Sequence, residues 1–239
     1  MLINLRNALM AGKRTPTAKD YVQNGLVAMW DGIENAGWGV HDAGATTWKD
    51  LVGNLDWTLG PATSYEWTPS SFKAKDQYAA TRDFIDDSNV STIEFCAKLL
   101  SSPGGNVAFI ILGRSSLTSG APYYGLLARN SANVKALMGC RSFFTNTVTE
   151  FLNIPATFSF PGFAALLAQA YFNGVPRDAS GYNTLDYSAS SRGTVARIGG
   201  ILSQSYPIEV NNIRLYSRAL TASEIAANYA IDKARFGLT

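Results

Sequence analysis

Charge is what this sequence has least of. Only 16% of its 239 residues are Asp, Glu, Lys or Arg, against about 25% in an average soluble protein. The 20 basic and 18 acidic residues nearly cancel, leaving a formal net charge of +2. That balance argues against a charged disordered tail, a polybasic nucleic-acid binder and a coiled coil, all of which need charge. Cysteine is scarce too: Cys96 and Cys140 are too few for a disulfide framework. Whether they pair is left open, although Cys96 sits in a strand-like run where a free buried thiol is expected. His41 is the only histidine, so a Cys/His zinc site lacks ligands. No apolar run approaches the roughly 18 residues of a membrane span; the richest, 163–172, is too short. Asn4, Arg6 and Asn7 interrupt the N-terminal stretch where a signal peptide would be continuously apolar. The expectation is a soluble chain with no export signal of its own, no membrane span and no nucleic-acid partner. A cell-surface or virion location stays open.

Hydroxyls, amides and 21 glycines take the place of the missing charge, while hydrophobic residues stay at 46%. Ser and Thr tolerate strands, and Gly and Asn make turns, so this composition suits a β-rich domain. Residues 25–30 (Gly-Leu-Val-Ala-Met-Trp) are a short apolar run, as expected of a strand covered on both faces. Thr92 to Leu99 alternates, with Ile93, Phe95, Ala97 and Leu99 on one side and Thr92, Glu94 and Lys98 on the solvent side. Further strands are predicted at 107–113, 123–129, 134–139, 147–152, 194–199 and 208–216. The Asn173-Gly174 pair marks a hairpin after the run 163–172. No helix-length periodic segments alternate with these strands, which argues against a parallel α/β fold and for a sandwich or jelly roll.

Two segments stand apart. Residues 1–20, with Leu5 and Leu9 four apart and a linker-like Lys13-Arg14-Thr15-Pro16, read as an N-terminal arm before a domain over 21–239. Such an arm either packs on its own domain or docks on a partner subunit, giving a homo-oligomer or a larger assembly. At the other end, Thr221-Ala222-Ser223-Glu224 is a capping box, with Leu220 and Ile225 at the staple positions and Gly237 as the stop. Ile225, Tyr229 and Phe236 share the face expected to be buried.

The segment 207–225, which contains Arg214-Leu215-Tyr216-Ser217-Arg218-Ala219-Leu220, resembles the closing segment of laminin-G-like domains of the concanavalin A-like lectin/glucanase superfamily. Four other stretches resemble that family's motifs in the same order. They are residues 25–30 followed by the Asp50 to Asp56 turn, Thr92 to Lys98, Tyr171-Phe172-Asn173-Gly174, and Ala196-Arg197-Ile198-Gly199-Gly200. The resemblance covers roughly residues 25–237. It implies an all-β, two-sheet antiparallel jelly-roll sandwich with a C-terminal helix. It implies little about ligand, because the superfamily mixes lectins, adhesion modules and hydrolases. Leu51-Val52 departs from the family's turn, Cys96 stands where an aromatic is common, and the arm has no counterpart.

Catalytic patterns are missing. The glucanase-like run of three closely spaced carboxylates is absent, and the six glutamates (34, 66, 94, 150, 209, 224) are scattered. A hydrolase would need a carboxylate pair assembled from separate strands. His41 lies in a Gly-rich loop with no nucleophile elbow in the chain, and no phosphate-binding glycine motif is present. Asp83, Asp86 and Asp87 cluster in one loop, whose carboxylates and carbonyls are ligands a calcium ion would accept. No other cofactor is indicated. Trp38, Trp48, Trp57 and Trp67, with Tyr65, crowd one stretch of about thirty residues. They serve either as stacking platforms for sugar rings or as anchors of a long loop folded over a sandwich edge. The functional expectation is a non-catalytic module that binds a glycan or a surface protein. The alternatives are a structural or receptor-recognition subunit of an assembly such as a phage or prophage tail, and a glycoside hydrolase with an unusual carboxylate pair.

Overall fold

The computed structural model describes residues 14–76, 79–83, 90–101, 107–114, 123–129, 133–138, 141–147, 152–161, 170–177, 183–184, 195–201, 204–205 and 207–238. In chain order the strands are β1 (Leu26–Asp31), β2 (Thr47–Trp48), β3 (Trp57–Leu59), β4 (Tyr65–Thr68), β5 (Ser71–Ala74), β6 (Ala80–Asp83) and β7 (Thr92–Leu99). There follow β8 (Val107–Arg114), β9 (Tyr123–Arg129), β10 (Asn133–Met138), β11 (Arg141–Thr147), β12 (Ala156–Pro161) and β13 (Ala170–Phe172). The series ends with β14 (Val175–Arg177), β15 (Asn183–Thr184), β16 (Val195–Ile198), β17 (Gly200–Ile201), β18 (Gln204–Ser205), β19 (Ile208–Tyr216) and the helix α1 (Ala222–Phe236).

All but β17 and β18, which pair with each other, form two antiparallel sheets, as the alternation and turn signals predict. One has eight strands in the order β14-β13-β12-β7-β19-β5-β4, with β1 also paired to β19. The other has nine, in the order β15-β11-β10-β9-β8-β16-β6-β3-β2. Strand β19 is the spine of the first sheet: β7 runs along its length, while β5 and β1 share its other edge. A bulge at Asn211 marks the change of partner. Between the sheets lies one core containing Trp30, Trp48, Trp57, Phe72, Phe95, Phe158, Ile198 and Leu215. Each large side chain removed from water there contributes about 1.5–3 kcal/mol.

Two turns are fixed by backbone chemistry. Asn173 and Gly174 both adopt positive φ, 51° and 74°, as the tight hairpin joining β13 to β14 requires. Gly199 has φ of 113°, and a Cβ there would sit 1.8 Å from the Asp76 carbonyl oxygen, so no other residue fits.

Strand β11 is Arg141–Thr147, held by its hairpin with β10; of the strand expected at 147–152, residues 148–151 lie outside the described residues, as do 162–169. Two expectations need correction. Thr92 and Glu94 do not face solvent but are fully buried, because α1 covers that side of β7. The buried stripe of α1 is Ile225, Asn228, Asp232 and Arg235, with Tyr229 and Phe236 only partly covered. An apolar-periodicity reading misses it because three of its four members are polar.

Both ends of the described chain meet on this outer face. Residues 14–20 lie against the domain: Arg14 pairs with Asp20, and a turn of 3-10 helix at Ala18–Asp20 buries Ala18. Residues 1–13 lie outside the described residues. No helix among the described residues is long and apolar enough to cross a membrane.

Candidate functional site

Two polar assemblies stand out, one sealed and one open. The sealed one lies between α1 and the outer face of the first sheet. Arg214 on β19 is fully buried and donates from Nη1 and Nη2 to the two Asp232 oxygens, at 2.7 and 2.8 Å. Its Nε donates to Glu94 Oε2 at 2.9 Å. Glu94 also accepts from Ser159 (2.7 Å) and Asn228 (2.7 Å). Asp232 also accepts from the Tyr21 hydroxyl (2.6 Å), Thr157 (2.8 Å) and Asn212 (2.8 Å). Each buried charge is therefore compensated by a fork or by several donors.

Burial pushes the Glu94 and Asp31 carboxyls above the usual range, opposed by Arg214 and Arg235 respectively. For Asp232 burial works in the same upward direction, but the Arg214 guanidinium outweighs it and holds the group low. Glu94 on β7 and Asp232 on α1 are a carboxylate pair assembled from separate elements, as a glycosidase would need. Both have no exposed surface and both are committed to Arg214, so the pair clamps α1 to the sheet and meets no substrate.

The open assembly is the rim loop between β1 and β2. Its apex is a turn in which Val40 N–H donates to the Gly37 carbonyl at 2.9 Å. Gly39 occupies the third position with φ of 71°, the left-handed glycine that a type II turn requires. Asn35, buried, mimics a strand: its Nδ2 donates to the Asp42 carbonyl and its Oδ1 accepts from Asp42 N–H, both at 2.8 Å. His41 Nδ1 faces the Gly32 carbonyl at 3.2 Å, so Nδ1 carries the proton in this contact. Asp42 Oδ1 accepts from Gly44 N–H. Val40 is 50% exposed, and His41, Asp42, Ala43 and Gly44 are exposed beside it. Trp38 is half-buried, packed against Ala18, Tyr21, Met29 and Leu51, with the Lys19 ammonium 5.4 Å from its ring centroid. The loop thus presents an aromatic side chain, an imidazole and a carboxylate on a backbone held from below, with the Lys19 ammonium of the N-terminal 3-10 turn beside them, the usual arrangement of a binding loop on a rigid scaffold.

Of the five aromatic residues proposed for stacking, only Trp38 is partly exposed. Trp48 and Trp57 are fully buried, and Tyr65 and Trp67 are 8% exposed. Trp48 packs on Phe72 and Trp67, and Trp57 on Trp30. The Trp67 indole N–H and the Tyr65 hydroxyl both donate to the Ala45 carbonyl, pinning the loop over the sandwich edge. These four belong to strands β2, β3 and β4 and fill the main core, where large apolar faces are consumed by burial. Of the calcium candidates, Asp83 is exposed at the end of β6, while Asp86 and Asp87 lie outside the described residues. No group of three metal-ligating side chains occurs among the described residues. Cys96 is free and buried; Cys140 lies outside the described residues. The Asp50 to Asp56 turn is structural: Asp50 accepts from Met29, Val52 and Leu55 N–H groups, and Lys49 pairs with Asp56.

No family model and no curated protein sequence matches the chain. Solved structures do. The fold is similar to that of Trypanosoma rangeli sialidase in complex with sialic acid, at a TM-score of 0.61 and 20% identity over 92% of this chain and 34% of that one. It is also similar to the botulinum neurotoxin serotype D binding domain, at a TM-score of 0.58 and 13% identity over 86% of this chain and 50% of that one. The ligand binding domain of the same toxin in complex with N-acetylneuraminic acid gives 0.57 and 12% over the same shares, 86% and 50%. The chain thus spans about a third of the sialidase and half of the toxin chain. At these identities the likeness is one of fold.

Proposed function

We propose that this chain is a non-catalytic recognition module of the laminin-G-like kind, which binds a glycan through the rim loop of Trp38 to Gly44. The observation that carries the reading is the contrast between the two polar assemblies. Among the described residues, the carboxylate pair Glu94 and Asp232 is sealed and spent on holding α1, whereas the open loop is built for contact. Trp38 offers an apolar edge to a sugar ring, His41 and Asp42 offer hydrogen-bonding groups to its hydroxyls, and Lys19 adds a cation suited to an acidic sugar. That similar folds are known in complex with sialic acid and N-acetylneuraminic acid supports a saccharide partner.

The likeness to a sialidase also favours one competing reading, a glycoside hydrolase. A glycan array probed with the full chain, run beside an assay for sugar release from the same saccharides, separates the two. Retention of a defined subset without release is expected. An empty array with release of sugar overturns the proposal.

A further inference from the structure

Glu34 ties the open loop to the sealed network. Its side chain is almost fully buried, and its two oxygens serve three separate segments. Oε1 accepts from Ala18 N–H at 2.8 Å and from Arg235 Nη2 at 3.2 Å. Oε2 accepts from Gly39 N–H, at the apex of the rim turn, at 2.8 Å. The Glu34 backbone is fixed in turn, its N–H donating to Asp31 Oδ1 at 3.0 Å. Asp31 is itself clamped by Arg235, through Nη1 to Oδ2 at 2.6 Å and Nη2 to Oδ1 at 3.0 Å. A continuous chain of charge-assisted bonds therefore runs from the last turn of α1, through Arg235 and Glu34, to the Gly39 amide.

We infer that Glu34 is a positioning residue for the rim loop, and that docking of α1 through Arg235 sets the shape in which the loop meets its ligand. The inference deepens the reading of this loop as the binding surface and rests on it for the ligand. The chemistry demands a carboxylate. Three donors converge on Glu34, and an amide in its place has one oxygen and one NH2 group. One oxygen position would then set donor against donor, at Gly39 or at the Ala18 and Arg235 pair. The Trp38 ring, next in sequence to Gly39 and packed on the cluster that contains Ala18, is seated beside the same anchor. The C-terminal helix, whose Arg235 lies 201 residues from Glu34 in sequence, becomes part of the recognition device.

The test compares Glu34→Gln and Arg235→Met with the parent chain, reading amide hydrogen exchange at Gly39, the His41 ring resonances and affinity for a saccharide the parent retains. Arg218→Ala, which loosens only the start of α1, is the control. Glu34→Gln is expected to speed Gly39 exchange by about ten-fold or more, because the amide loses its charged acceptor. Arg235→Met is expected to speed it by less, because Glu34 keeps its bond to Gly39 but loses a donor that fixes its position. Both variants are expected to shift the His41 signals and weaken the saccharide several-fold, while the control leaves all three unchanged. Arg235→Lys, which keeps the charge but not the fork, serves if Arg235→Met fails to fold. Unchanged Gly39 exchange in the folded variants overturns the inference, and so does faster exchange with undiminished affinity. If the parent chain retains no saccharide, the functional reading fails, while the exchange data still decide whether α1 governs the loop.

Discussion

Arg214 shows most sharply what single residues do in this molecule. It sits on the central strand, fully buried, bonded to two carboxylates, with its guanidinium carbon 4.1 Å from the Tyr21 ring centroid. Replacing it with Met leaves Glu94 and Asp232 buried without their cation. Such a break costs about 3–5 kcal/mol, so chemical denaturation of Arg214→Met is expected to show a midpoint far below that of the parent, or no folded baseline. Trp48 makes the apolar counterpart. It is buried between Phe72 and Trp67, and Trp48→Ala is expected to lose about 3–5 kcal/mol by the same measurement. His41→Ala, on the exposed loop, is expected to leave the denaturation midpoint within about 0.5 kcal/mol of the parent, the usual range for surface changes. A fall as large as that of Trp48→Ala would place His41 in the fold and not in recognition.

At the scale of elements, α1 was the most legible and also the most misleading. Its cap folds as the sequence predicts: Thr221 Oγ1 accepts from Glu224 N–H, Glu224 reaches back to Thr221 N–H, and the Gly237 amide closes onto the Lys233 carbonyl. Caps are local, so a four-residue pattern suffices to read them. The buried stripe is not local. Asn228, Asp232 and Arg235 look like a solvated face until Glu94, Arg214 and Asp31, on distant strands, are brought opposite them. For the same reason the strands Thr92–Leu99, Tyr123–Arg129 and Ile208–Tyr216 were readable to the residue, whereas the outer face of Thr92–Leu99 was assigned to solvent. The cap also gives a pH prediction. Arg218 is hydrogen-bonded to Glu224, and with the Thr221 amide it holds that carboxyl down to about 2, below its unfolded value of about 4.3. A depressed carboxylate stabilises the folded state above its unfolded pKa and loses that contribution as pH falls through the folded one. Helix stability is therefore expected to decline between about pH 4.5 and pH 2, and Glu224→Gln to flatten that part of the profile in thermal melts followed by circular dichroism.

At the scale of the whole molecule, the low charge of the sequence acquires a spatial explanation. Four of its carboxylates (Asp31, Glu34, Glu94 and Asp232) and two of its arginines (Arg214 and Arg235) are withdrawn into one buried network. That network binds the N-terminal segment, the first sheet and the C-terminal helix, and through Glu34 it reaches the rim loop. The candidate site was half legible: Trp38 was singled out by its residue type. The other four aromatics lie on core strands; a tryptophan that fills a core and one that stacks on a sugar read alike in sequence, and only burial separates them. Gly39, His41 and Glu34 carried no aromatic signal; a buried acid five residues before a turn glycine is visible only once the turn is built. The measurement that tests the account of function most directly is amide chemical-shift mapping of the full chain titrated with the saccharide it retains best. Perturbations confined to Lys19 and to residues 36–44 are the expected result. Perturbations on the outer face of the nine-stranded sheet with the rim loop silent would contradict it.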